Sequence, residues 1–316
     1  MELRGCACEN PSSVERGPGV RTWPATTART SLSPRGSRPA IGVCAAACMF
    51  LAPRASSAPG IAAPDTMTVT SGSLALTALL WRPPGPGPFP AVLFNHGSYG
   101  SHDPVPMTEP GEIGRVFARH GYVLLYLFRQ GLGLSAGQGT SDGDLMDRAM
   151  MSNGPEGRNR EQLELLNGDE LAEALAGLAA LRRLPEVDPN RVAVVGHSFG
   201  GSLTLLVAAH DTAVRAAVVF GCAAASWDRS PALRARLLVA VGGTSAPVFF
   251  VHAANDYSVT PGRALAAQMQ RVGRVHVLRI FPPVGRTARE GHNLVYLSVA
   301  TWEPSVFAFL DGRLRR

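Results

Sequence analysis

Ser198 lies in Gly196-His197-Ser198-Phe199-Gly200, with the apolar run Arg191 to Val195 before it and a helix-compatible stretch, Gly201 to His210, after it. That setting reads as a nucleophile elbow, a sharp strand-to-helix turn that lifts one hydroxyl above a sheet edge. Such a turn needs minimal residues two positions away on each side, because side chains there collide as the backbone doubles back. Gly196 and Gly200 meet the need. The same turn points the Phe199 N–H at the place where an oxyanion develops. The chemistry is therefore acyl transfer through a serine.

A serine hydroxyl attacks poorly until a histidine takes its proton, and the histidine needs a carboxylate to fix its tautomer and stabilise its cation. On an elbow of this kind the partners follow in the order serine, acid, histidine. Pro247 to His252 reads as a short buried strand and runs into the polar loop Ala253-Ala254-Asn255-Asp256-Tyr257. Asp256 is the expected acid. After a helical stretch, Gly262 to Val272, and a further strand, Val275 to Phe281, the chain turns through Pro282 and Pro283 to Gly291-His292-Asn293. His292 is the expected base.

Blander readings weigh against these choices. Asp256 could cap the helix beginning near Pro261. Asp228, after the strand Ala216 to Phe220, is the rival acid. His252 and His276 sit inside strands and read as packed or surface residues, His197 as structural, and His120 and His210 as helix-end residues. His102 beside Asp103 competes as a pair, but adjacent residues in a glycine- and proline-rich loop form turns. The second oxyanion donor should come from a loop after an early strand. Ala91 to Asn95 is such a strand, and it leads into His96-Gly97-Ser98-Tyr99-Gly100. The Ser98 N–H is the expected donor, with Tyr99 as the alternative.

These residues need a scaffold of alternating strands and helices. Apolar strands that lack polar alternation, such as Ala91 to Asn95 and Tyr122 to Phe128, imply burial on both faces and hence a mostly parallel central sheet with helices on both sides. Thr66 to Thr70 and Leu74 to Trp81 add antiparallel edge strands, and Ile113 to His120 reads as a helix. Glu161 to Leu184 reads as one long helix. The polar stretch before it, with Met150 and Met151, is either a small cap within residues 137–168 or a surface loop.

Taken in order, Phe94 to Gly100, Arg129-Gln130-Gly131-Leu132-Gly133-Leu134-Ser135, Asp188-Pro189-Asn190-Arg191, the elbow, Asp256 and Gly291-His292 resemble the α/β-hydrolase fold and, within it, the dienelactone-hydrolase-like group. The resemblance covers most of residues 65 to 316. It implies an α/β-hydrolase domain, with residues 61–316 forming one catalytic unit. Dienelactone hydrolases use a cysteine nucleophile where this chain has Ser198, which implies a serine esterase or related acyl hydrolase.

Composition sets the remaining bounds. At 316 residues and 46% hydrophobic content, the chain can bury a large core. Residues 1 to 60 hold seven arginines against three glutamates, which is +4 of the +6 formal charge. The remainder is too balanced to suggest nucleic-acid binding. Within that leader, Arg35 and Arg38 precede the apolar run Ala40 to Ala52 and a plausible cut at Ser56-Ser57-Ala58. This is the order of a signal peptide, with an apolar run too short for a stable membrane span. The expectation is an exported protein, periplasmic or secreted, if the leader is cleaved, and a cytoplasmic one if it is a disordered extension. Cys6, Cys8, Cys44 and Cys48 fall in the leader, and cleavage would leave Cys222 alone. No metal or organic cofactor is implied. The expected activity is hydrolysis of small carboxylic esters by Ser198, Asp256 and His292, with Ser98 and Phe199 holding the oxyanion. A peptidase or amidase using the same residues is the alternative, and a ligand-binding protein without turnover the alternative of another class.

Overall fold

The computed structural model describes residues 60–315, and the leader features, cleavage site included, lie outside the described residues. Eight strands form one sheet: β1 (Asp65–Ser71), β2 (Leu74–Trp81), β3 (Phe89–Asn95), β4 (Val123–Leu127), β5 (Val187–His197), β6 (Ala217–Phe220), β7 (Val248–Ala253) and β8 (His276–Phe281). Their order across the sheet is β1-β2-β4-β3-β5-β6-β7-β8. The β1–β2 and β2–β4 pairs are antiparallel, and all others are parallel.

Alternation along each strand sends side chains to two separate cores. Val192 and Val194 of β5 join the cluster that contains Leu203 and Leu237, while Ala193 and Val195 join the one containing Phe117 and Trp302. Helices α3 (Asp169–Arg182), α4 (Phe199–His210), α5 (Pro231–Gly243) and α6 (Thr260–Arg271) supply the first face. Helices α1 (Thr108–Arg119), α8 (Leu294–Leu297) and α9 (Val299–Leu314) supply the second. The continuous apolar strands are thus buried on both sides, as the sequence implies. Helices α5 and α9 lie outside the expected set. Among the described residues no helix is long and apolar enough to cross a membrane.

The single helix expected over 161–184 is two helices. Helix α2 (Asp142–Asn167) begins upstream, where the Ser141 side chain accepts from the Asp144 N–H at 3.2 Å and caps the first turn. Gly154, at φ 65°, and Pro155 kink it midway. Gly168, at φ −113° and ψ −114°, then separates it from α3. The polar stretch over 137–159 is therefore mainly helical.

Candidate active site

Ser198 follows β5 and starts α4, at φ 56° and ψ −116°, a strained conformation for a residue with a side chain. Its N–H donates to Phe220 O at 2.8 Å, tying the elbow to the neighbouring strand. Gly200 is required by contact: a Cβ there would lie 2.1 Å from Asn95 O and 2.2 Å from His96 O. The elbow and the loop after β3 are therefore docked backbone to backbone.

Asp256 and His292 come from the loop after β7 and from the short helix α7 (Ala288–His292). His292 Nδ1–H donates to Asp256 Oδ1 at 2.7 Å, which leaves Nε2 as the acceptor for the Ser198 hydroxyl at 2.8 Å. Three residues scattered over 94 positions thus form one hydrogen-bonded chain. Burial alone would raise the Asp256 carboxyl, but hydrogen bonds from His252 and His292 outweigh it and hold the group well below the ordinary carboxylate range. It stays ionised beside its histidines.

Of the two oxyanion candidates on the early loop, the Tyr99 N–H is consumed by Asp142 Oδ1 at 3.1 Å. The Ser98 N–H has no acceptor among the described residues, nor has that of Phe199 at the first position of α4. The carbonyl of Gly97 accepts from His96 Nδ1–H at 2.7 Å and from Arg129 Nη2 at 3.0 Å. Carbonyl and following N–H point in opposite directions across a planar trans peptide. Clamping Gly97 O therefore fixes the Ser98 N–H facing away from Arg129, on a residue that borders the cleft with Ser198.

Other expected contenders fall elsewhere. Asp228 is exposed, and among its described contacts it offers only its backbone carbonyl to Arg234. Asp103 makes a two-oxygen pair with Arg289 at 3.1 and 3.2 Å rather than orienting His102. His197 is structural, donating from Nε2 to the backbone carbonyl of His292 at 3.0 Å. Burial, followed by the His292 charge, pushes its pKa down to about 3, so it is neutral.

Several site residues escape the sequence reading. His252, read as a packed or surface residue, donates from Nδ1 to Asp256 Oδ2 at 2.8 Å, so each carboxylate oxygen has its own histidine. Asn255 joins the loop after β7 to the loop after β8, accepting from Val284 N at 2.9 Å and donating to Val284 O at 2.8 Å and Thr287 O at 2.9 Å. Arg129 is fully enclosed with Asp142, Glu170 and Glu173. It donates to His96 O at 3.0 Å and to Asp142 Oδ2 at 3.0 Å, and forms an ion pair with Glu170. The Ser141-Asp142-Gly143-Asp144 capping signal was the available clue to where α2 starts. Nothing local signals the pairing of Arg129 with Glu170.

Gly221, at φ +56°, lies against His292. A Cβ there would stand 2.9 Å from both Cε1 and Nδ1 of His292, so alanine adds backbone strain and displaces the ring. Gly221→Ala is expected to lower kcat/KM for a turned-over ester by about 10–100-fold while the fold persists. Kinetics alongside circular dichroism check this.

Ser198 and His292 open on a cleft of about 260 Å³ bordered by Tyr99, Glu109, Tyr257 and Arg289. Glu109 accepts from the Tyr99 hydroxyl at 2.6 Å, and burial pushes its pKa up to about 7. The folded state then holds a proton that the unfolded chain releases above about pH 4.3, so stability falls as pH rises from there to 7. Glu109→Gln lacks this loss, and its Tm relative to wild type is expected to be higher at pH 8 than at pH 5. A difference that stays flat between those pH values would remove the burial argument.

A mostly parallel sheet, an elbow serine just after β5 and partner loops after β7 and β8 define an α/β-hydrolase. Residues 76–288 match the model of the Dienelactone hydrolase family, and the chain belongs to that family. Among solved structures it is similar to an acylaminoacyl peptidase from Pyrococcus horikoshii, with TM-score 0.59 and 15% identity over 82% of this chain and 43% of that one. It is also similar to a puromycin-hydrolyzing peptidase from Mycobacterium tuberculosis, with TM-score 0.55 and 18% identity over 79% and 39%. A dienelactone hydrolase from Anabaena variabilis ATCC 29413 matches with TM-score 0.54 and 18% identity, over 80% of this chain and all of that one. These likenesses concern the fold. The chain spans less than half the length of the two peptidases. No curated protein sequence matches it.

Proposed function

We propose that this hydrolase cleaves carboxylic esters with Ser198 as nucleophile, His292 as general base and Asp256 as the group that orients and stabilises the imidazolium. The observation that carries the reading is the unbroken chain from Ser198 Oγ through His292 to Asp256, at 2.8 and 2.7 Å. Ser198 Oγ attacks the ester carbonyl as its proton passes to His292 Nε2. The oxyanion is held by the N–H groups of Phe199 and Ser98, each worth about 3 kcal/mol in such sites. His292 then protonates the leaving alkoxide. Water, deprotonated by the same nitrogen, releases the acid from Ser198.

A fluorophosphonate probe tests the nucleophile directly, because it reacts with an activated serine and not with an ordinary one. Wild type is expected to label at Ser198, and Ser198→Ala or heat-denatured protein to remain unlabelled. A native protein that takes no label would end this reading. Parallel assays with an ester and the matching amide separate esterase from amidase.

A further inference from the structure

The esterase reading has a directional consequence. His292 must hand its proton to the leaving oxygen, so the leaving group lies on the side that His292 borders. That side is the cleft of about 260 Å³. The acyl chain then lies on the other side of Ser198, in a pocket of about 80 Å³ that Ser98, Ser198 and Phe199 border and His292 does not. This is the smaller of the two spaces that Ser198 borders, and it suits a short acyl chain.

The lining of this pocket is unusual for a fatty acyl site. Arg158 and Gln162 enter from α2, beyond its kink, and Ser226 and Arg229 from the loop after β6. Gln162 is 6% exposed, and its amide bonds to no described residue. Arg158 pairs with the exposed Asp147 at 2.5 Å, whereas no carboxylate among the described residues pairs with Arg229. Arg229 keeps an exposed part, and its partial burial, followed by the neighbouring Arg158 charge, lowers its pKa. Two cations, an amide and a hydroxyl together are donors to an acceptor-rich anion, and arginine matches a planar carboxylate with two parallel bonds.

We propose that this pocket binds a carboxylate at the far end of a short acyl chain, and that the preferred substrates are half-esters of small dicarboxylic acids. The proposal rests on the esterase reading, and the experiment separates the two. Hydrolysis of ethyl hydrogen succinate, ethyl succinamate and ethyl acetate is followed by pH-stat at pH 8 with wild type, Arg229→Gln, Arg158→Gln and, as a distant surface control, Arg274→Gln. The succinamate is a neutral match in shape for the succinate half-ester. Wild type is expected to favour the half-ester over the succinamate by about tenfold or more in kcat/KM, the scale of a charge-assisted pair. Arg229→Gln and Arg158→Gln should bring the ratio close to unity, and Arg274→Gln should leave it unchanged. A wild-type ratio at or below unity, with the neutral esters still hydrolysed, overturns the anionic pocket and leaves the esterase reading standing. So does a tenfold ratio that survives both pocket substitutions. Failure to hydrolyse any of the three esters overturns the esterase reading and the pocket with it.

Discussion

Ester hydrolysis by Ser198→Ala is expected to fall by about 10⁶-fold, and by His292→Ala to a similar degree, because nucleophile and base act as one unit. The double variant should therefore be no worse than either single one. Asp256→Asn should cost about 10⁴-fold, since an amide at that place presents the imidazole with the wrong tautomer. What remains is the work of the oxyanion donors and of binding. Steady-state rates on a short-chain ester, with thermal unfolding of each variant alongside, check the ordering. A Ser198→Ala protein with most of its turnover intact would sink the serine mechanism.

The second large effect belongs to a residue that borders neither cleft. Arg129→Met leaves Asp142, Glu170 and Glu173 enclosed without their cation. Burial already pushes Glu170 up to about 8 and Glu173 up to about 7, so both hold protons near neutrality while Asp142 faces the guanidinium. Breaking a buried pair by removing one partner typically costs about 3–5 kcal/mol. For a domain of this size that is a fall in Tm on the order of 10 °C. The same substitution frees the carbonyls of His96 and Gly97 from Nη1 and Nη2. The Ser98 N–H then loses part of its fixed direction, and the expected kinetic signature is a lower kcat at nearly constant KM. Arg129→Lys, which restores charge without the planar fork, should recover more stability than kcat. Equal recovery of both would assign Arg129 a purely structural role.

The parts of the site legible in sequence are those set by backbone contact or chain order. The elbow announces itself because Gly200 must sit against two carbonyl oxygens. Asp256 and His292 follow because loops after successive parallel strands converge on one sheet edge. The remainder depends on side chains meeting across long separations. His252 looks like a strand residue, since its apolar neighbours give no hint that its ring turns toward the carboxylate four positions later. Arg129 reads as part of a glycine-rich turn, because its partners lie at the starts of two later helices. Helix α2 was obscured by Gly154 and Pro155, which break the periodicity that marks a continuous helix.

That kink divides the wall beside Ser198 into two parts with different freedom to change. Before it, Asp142 is locked to Arg129 and to the Tyr99 N–H, so the first turns of α2 are bonded to the loop after β3. After it come Arg158 and Gln162, which border the smaller pocket beside Ser198 and are tied to that loop by no bond among the described residues. Substitutions within residues 155–167 can therefore reshape that pocket while the bonds that hold the loop after β3 stay in place.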